Sequence, residues 1–208
     1  METLSAAPRA IRLGFALLLG LCAVSAQAAP ASGKSAVAYG RAGDKWPGWS
    51  IVTDVPSGWT ADCCDHARWV GVPMVIYRGD WTGKPEGVMV LNVWLSHGQT
   101  LEQDLDKDRD EYRRRDPKAT IAALSMPTPR GVTCSGVRYH GSDGVEDAVM
   151  FCDPGQRTGI HYSWSISIGE KNPQRAATLN AFAQVVAHSR YLRYDPASGP
   201  PPAESGKK

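Results

Sequence analysis

The chain has no surplus of either charge. Its 208 residues carry 23 Lys and Arg against 21 Asp and Glu, a formal net charge of +2. Nucleic-acid binding rests on a strong basic footprint, so that class is excluded, and nothing supports electrostatic docking to a membrane surface. Long apolar runs are as scarce. The longest is Leu13–Val24, "LGFALLLGLCAV", and no later stretch approaches the ~20 residues a membrane-crossing helix needs. No internal repeat is present, which excludes solenoids and propellers. No complete catalytic constellation is visible either.

The one apolar run defines a leader. Arg9 and Arg12 precede it, and "SAQA" follows with Ala26 and Ala28 as the small residues of a cleavage site. That pattern reads as a secretory signal peptide over 1–28, with cleavage near Ala28/Ala29. Cys22 lies inside the run behind Leu21. A lipid-modified cysteine wants a small residue before it, so Cys22 reads as a discarded apolar residue. The expected protein is periplasmic or secreted, without a transmembrane segment.

About 180 mature residues suit one domain plus tails. Residues 29–44, "APASGKSAVAYGRAGD", are small and polar and read as a flexible N-terminal linker. Residues 195–208, "DPASGPPPAESGKK", read as a disordered Pro/Gly/Ser-rich tail. The folded domain is expected over 45–194.

Within it, "WSIVTDVP" (49–56) alternates and stops at Pro56-Ser57-Gly58, a strand and a turn. "GVPMVIYRG" (71–79), with an early Pro73 that suggests an edge or a strand start, and "VMVLNVWLS" (88–96) read as a hairpin around "WTGKPEG". Thr100, with Gln103 three residues on, opens a helix over 101–115. That helix is acidic early and basic late, as its dipole favours, and its spacing offers Asp110–Arg114 and Glu111–Arg115 pairs. Its apolar stripe is only Leu101, Leu105 and Tyr112, so it should pack peripherally. Four strands follow, at 120–127, 131–141, 145–153 and 159–169. The last is the clearest: Ile160, Tyr162, Trp164, Ile166 and Ile168 take one face, and His161, Ser163, Ser165 and Ser167 the other. Asn172-Pro173 starts a final helix, with Leu179, Phe182, Ala183 and Val186 on one face and Tyr191 and Leu192 closing onto the sheet. The class is α+β, an antiparallel sheet of about six or seven strands with two main helices.

This order of elements, with "GWSIVTDVPSGWTAD" (48–62) and its Pro56-Ser57-Gly58-Trp59, resembles the PsbP-like (PsbP/DcrB-type) α/β/α sandwich over Trp49 to about Leu192. The resemblance implies a binding or assembly factor rather than an enzyme. It implies no catalytic residue, metal ligand or cofactor.

Removal of the leader leaves Cys63, Cys64, Cys134 and Cys152, an even count that reads first as disulfides in an oxidising compartment. If Ser142-Asp143-Gly144 is a three-residue loop with Gly144 left-handed, Gly141 opposes Val145 and Cys134 opposes Cys152, close enough to bridge. Cys63 and Cys64 then pair with each other in a strained vicinal ring. The alternatives staple each to one meander cysteine or leave the two as free thiols. A zinc site using Cys63, Cys64 and His66 fits badly, because zinc ligands sit two to four residues apart. His66 then needs no partner and is expected to be solvated.

His66, His97, His140 and His161 are candidate general bases for a small secreted hydrolase. "HGSDG" (140–144) puts His, Ser and Asp in one turn, where they cannot converge as a triad. "RGD" (78–80) reads as a turn, and Arg113-Arg114-Arg115 as a solvated last helical turn or an anion site. Of seven tryptophans, Trp59, Trp69, Trp81 and Trp94 form the candidate binding patch. The leading reading is an exported, non-catalytic binding or assembly domain with a protein partner in the envelope or outside the cell. The alternatives are an immunity protein that plugs a toxin's active site and the hydrolase.

Overall fold

The computed structural model describes residues 31–43 and 46–194. The leader with Cys22 and the C-terminal tail lie outside the described residues. The elements run β1 (Ala31–Gly40), β2 (Trp49–Pro56), β3 (Thr60–Asp62), α1 (His66–Trp69), β4 (Met74–Arg78), β5 (Gly87–Leu95), α2 (Leu101–Arg115), β6 (Thr120–Leu124), β7 (Thr133–His140), β8 (Val145–Asp153), β9 (Ile160–Gly169), α3 (Arg175–His188) and β10 (Arg190–Leu192). Seven strands form one antiparallel sheet in the order β3-β4-β5-β9-β8-β7-β6, and a second sheet has the order β1-β2-β10. The class is α+β. No helix among the described residues is long and apolar enough to cross a membrane.

The period-2 pattern of β9 organises the layers. Its core-facing neighbours in space follow from register: Leu91 of β5 stands opposite Trp164, and Met150 of β8 flanks it on the other side. These side chains bury against Ile51 and Val55 of β2 and against Phe182, Val185 and Val186 of α3. Helix α3 is therefore clamped between the two sheets. Its buried face is Thr178, Ala181, Phe182, Val185 and Val186, shifted by about one residue from the expected stripe. Asn172 accepts the Gln174 amide at 2.8 Å, and the helix begins only at Arg175.

On the other face of the large sheet, α2 lays Leu101, Leu105 and Tyr112 over Val137, Tyr139 and Phe151. Thr100 and Gln103 form the reciprocal cap, at 3.3 and 2.8 Å. The surface ion pairs differ from those expected. Arg113 bonds Asp110 and Arg109 bonds Asp106, both one turn back, while Arg115 lies over the Tyr112 ring at 5.0 Å. Exposed pairs of this kind contribute little, so either geometry serves.

Residues 31–40 correct the linker reading. They form β1, which pairs with β2 from Ser35 opposite Asp54 to Gly40 opposite Trp49. Small residues hid the strand, yet they are what the contact requires. A β-carbon on Gly40 would stand 2.3 Å from the Trp49 indole nitrogen. The strand 49–56 also belongs to the small sheet rather than the large one, and β10 joins it, with Tyr191 opposite Ile51. Strand β4 is not an edge, because the short β3 covers it.

The β7–β8 turn has the three-residue geometry. Gly144 takes φ 76°, Gly141 donates to the Val145 carbonyl at 2.8 Å, and Cys134 stands opposite Cys152 and is bonded to it. Beside it, buried Glu146 is held by Arg138 and by Arg175 at the start of α3.

Candidate functional site

Two places gather chemistry-bearing side chains. The first is the corner where β3 runs into α1. The Asp62 carboxylate ends β3 and accepts the backbone amides of Ala67 at 2.9 Å, Cys64 at 3.3 Å and Asp65 at 3.4 Å. Burial pushes that carboxyl up, but the three amides outweigh it and hold it below its usual range. This clasp folds residues 62–67 into a tight loop and launches α1.

Helix α1 carries His66 and Trp69. The His66 ring stacks on Trp81 at 4.8 Å and meets Tyr77 edge-on at 5.8 Å. The expectation that His66 needs no partner is therefore corrected: its half-buried ring packs against the aromatic pair. Trp69 is 92 % exposed. With Cys64, Asp65, His66, Arg68, Trp81 and Thr82 it lines an open groove of about 600 Å³.

Cys63 and Cys64 are free and exposed, which corrects their reading as disulfide partners. Cys134 and Cys152 are already joined at the other end of the sheet, and adjacent cysteines bridge only by closing a strained ring. Burial, then the hydrogen bond and charge of Cys64, push the Cys63 thiol up to about 11, which disfavours the thiolate that binds metals or attacks electrophiles. Among the described residues no three His, Cys, Asp or Glu side chains converge to hold a metal ion.

The four tryptophans of the expected patch do not form one surface. Trp69 and Trp81 share the corner. Trp59 is only 8 % exposed, under Gly87 and beneath the Arg78 guanidinium at 5.2 Å. Trp94 points to the opposite face of the large sheet and donates to Asp104 at 3.0 Å. Arg78-Gly79-Asp80 is a turn: Arg78 pairs with Glu86 at 2.8 Å, Gly79 takes φ 88°, and Asp80 holds Thr82.

The second place is an open cleft of about 560 Å³ between α2 and the polar face of β5 and β9. Asp104 and Asp108 lie one turn apart on the buried edge of α2. One Asp104 oxygen accepts from the Trp94 indole and lies 2.6 Å from His161 Nδ1, while His161 Nε2 is 3.9 Å from Asp153. Tyr139 donates to Asp108, and Tyr112, stacked on Tyr139 at 4.0 Å, donates to Asp147 at 2.9 Å. Burial raises the Asp108 carboxyl above its usual range and pushes the Tyr112 phenol up to about 12. The polar face of β9 was legible in the sequence. The carboxylates above it were not, because Asp104 and Asp108 read as part of a charged surface helix. The available signal was their i,i+4 spacing beside Leu101 and Leu105.

The remaining histidines are dispersed. His97 takes φ 50° in the turn after β5, at the rim of the cleft. His140 lies 3.3 Å from Glu170 at the far end of β7. Ser142 and Asp143 form the β7–β8 turn, with the Ser142 amide on Asp116 at 2.6 Å.

No family model matches the chain, and no curated protein matches it. Among solved structures it is similar to cyanobacterial PsbP (CyanoP) from Synechocystis sp. PCC 6803, determined in solution. The two share 12 % identity with a TM-score of 0.43, over 85 % of this chain and 99 % of that one. A likeness at this identity carries nothing about ligand or partner.

Proposed function

We propose that the protein is an exported, non-catalytic domain that binds a protein partner through the β3–α1 corner. The observation that carries this reading is Trp69, 92 % exposed on a helix that the Asp62 clasp holds in place. Leaving an indole in water forfeits ~2 kcal/mol or more of burial, and a rigid exposed tryptophan is the side chain that most often anchors an interface. Val70 is exposed beside it, and Arg68 and Asp65 flank it. An apolar centre with a polar rim has the anatomy of a protein interface. A toxin plugged at its active site is one such partner. Export is supported by the leader pattern and by the Cys134–Cys152 bridge, which suits an oxidising compartment. The mature N-terminus is then Ala29.

The test uses the full chain, tagged and incubated with envelope extract, beside Trp69→Ala. The reading requires a stoichiometric protein partner whose affinity falls at least ~10-fold in the variant, as for a hot-spot residue. Recovery indifferent to Trp69→Ala would overturn it. So would a self-association, seen by sedimentation, that the same change abolishes. The hydrolase reading has one observation in its favour, the 2.6 Å His161–Asp104 contact. Among the described residues no hydroxyl or thiol is hydrogen-bonded to His161, which is flanked by two carboxylates and 3 % exposed.

A further inference from the structure

The Trp69 groove does not end at α1. Beyond that helix lies an open slot of about 560 Å³ lined from both sheets: Trp49 comes from the small one and Val93 from the large one. Val72 and Pro73, which follow α1, form a further wall. Val93 stands opposite the fully buried Tyr162 in register, yet it is only half-buried itself, so the slot reaches the edge of the core between the layers. Trp46 lines the slot and is left 40 % exposed. Arg68 lines both the slot and the Trp69 groove, so the two are continuous around α1. The wall between them is fixed, because the Gly71 and Val72 amides donate to the Arg68 and Ala67 carbonyls at 3.1 and 3.0 Å.

The charges of the slot are one-sided. Arg41 and Arg68 both line it, both are exposed, and no Asp or Glu lines it. Among the described residues neither guanidinium is paired with a carboxylate. Asp65 lines only the Trp69 groove, and Asp62 is occupied by its three amides. Aromatic residues and arginine without acids are the composition of a protein interface at its centre. The apolar walls call for an apolar side chain, and the two guanidiniums call for carboxylates, which they bind in a planar, two-pronged geometry. A long acyl chain would lie partly in water in a slot open along its side, whereas sites for small molecules bury most of their ligand.

We propose that the slot and the Trp69 groove are one docking surface for an acidic segment of a protein partner. An apolar side chain of that segment enters between Trp46, Trp49 and Val93, and carboxylates on either side of it meet Arg41 and Arg68. This rests on the reading of the corner as a protein interface and adds the chemistry of the segment it takes.

The probe is a random peptide library displayed on phage and panned on the full chain at ~0.15 M salt, where distant charges are screened. Enriched peptides should carry a large apolar residue flanked by Asp or Glu. One of them, labelled, should bind more weakly as salt rises and should slow the alkylation of Cys63, which lines the slot. Arg41→Glu combined with Arg68→Glu should weaken it at least ~10-fold. Panned in turn, that variant should enrich basic peptides, a gain that misfolding cannot mimic. No enrichment on the parent chain, enrichment of neutral or basic peptides, unchanged Cys63 alkylation, or binding indifferent to the two arginines would overturn the proposal. So would anionic vesicles that bind through the same arginines and displace the peptide. An envelope partner that needs Trp69 but neither arginine would remove the acidic segment and leave the corner as an interface. Arginine-dependent peptide binding with no Trp69-dependent partner in the extract would do the reverse.

Discussion

The two faces of strand β9 are built from alternate residues of one segment, yet they make opposite environments. On the α3 side, Ile160, Tyr162, Trp164, Ile166 and Ile168 are buried among methionines, leucines and Phe182. Two of the polar groups there are paired internally: the Trp164 indole donates to Ser189 at 2.8 Å, and Thr53 donates to the Val185 carbonyl at 2.7 Å. On the α2 side, His161, Ser163, Ser165 and Ser167 meet carboxylates and an open cleft. One face gains apolar burial at ~25 cal/mol per Å². The other gains hydrogen bonds worth ~1 kcal/mol net each and remains open to solvent. A single sheet thus keeps a dry and a wet environment about one side-chain length apart, and a change on one face should leave the other's property intact.

That separation can be attacked from its strongest point downward. Phe182→Ala on the dry face removes a fully buried ring between the two sheets and should cost ~3–5 kcal/mol, measured by urea unfolding. A loss near 1 kcal/mol would mean that α3 is not the keystone of that face. Replacing Cys134 and Cys152 together by Ala reopens a loop of 18 residues in sequence separation and should cost ~3 kcal/mol. Serine at both Cys63 and Cys64 should stay within ~0.5 kcal/mol of the parent, as for ordinary surface changes. Non-reducing peptide mapping that linked Cys63 or Cys64 to the meander would reverse that contrast.

Tyr162→Phe should move the other way. Its hydroxyl is buried with no partner among the described residues, and burial raises its pKa. Deleting an unsatisfied hydroxyl should stabilise the fold by ~1 kcal/mol. Destabilisation would show that the dry face holds a partner for it.

Asp108 tests the wet face through pH. Burial raises its pKa in the folded state above the unfolded 3.8, so the folded protein holds the proton more tightly. Stability contributed by this group is therefore present below pH 3.8 and lost as pH rises through the folded value. Asp108→Asn should remove that decline, so that the variant-minus-parent difference grows with pH from just below 4 upward. A flat difference would place Asp108 in water. The smallest expected effect on stability is that of Trp69→Ala, within ~0.5 kcal/mol, because the indole is almost wholly exposed. A large loss would make the corner part of the core and remove its availability to a partner.

Much of the framework was readable before any coordinates. Helix α2 spans the expected 101–115, because Thr100 and Gln103 cap it and the charges follow its dipole. The alternation of β9 and the left-handed Gly144 set the meander's register, and that register alone brought Cys134 opposite Cys152. These signals are local: a cap, a period or a turn is complete within a few residues.

What stayed hidden depends on partners distant in the chain. Strand β1 is a run of small residues with no pattern of its own, and it exists because β2 offers a ladder and Trp49 leaves room only for Gly40. The tryptophans were visible as a set, but their division among core, corner and cleft follows from which face each element turns inward. His66 looked solvated because Trp81 lies 15 positions away in sequence, beyond the reach of any local pattern. Asp104 and Asp108 looked like surface charge until the fold set them over His161 and Tyr139. Periodicity and turn chemistry, being short-range, determined the elements and the α+β class. The packing of those elements decided the site, since a side chain's burial, pairing and access to a ligand depend on what tertiary contact places against it.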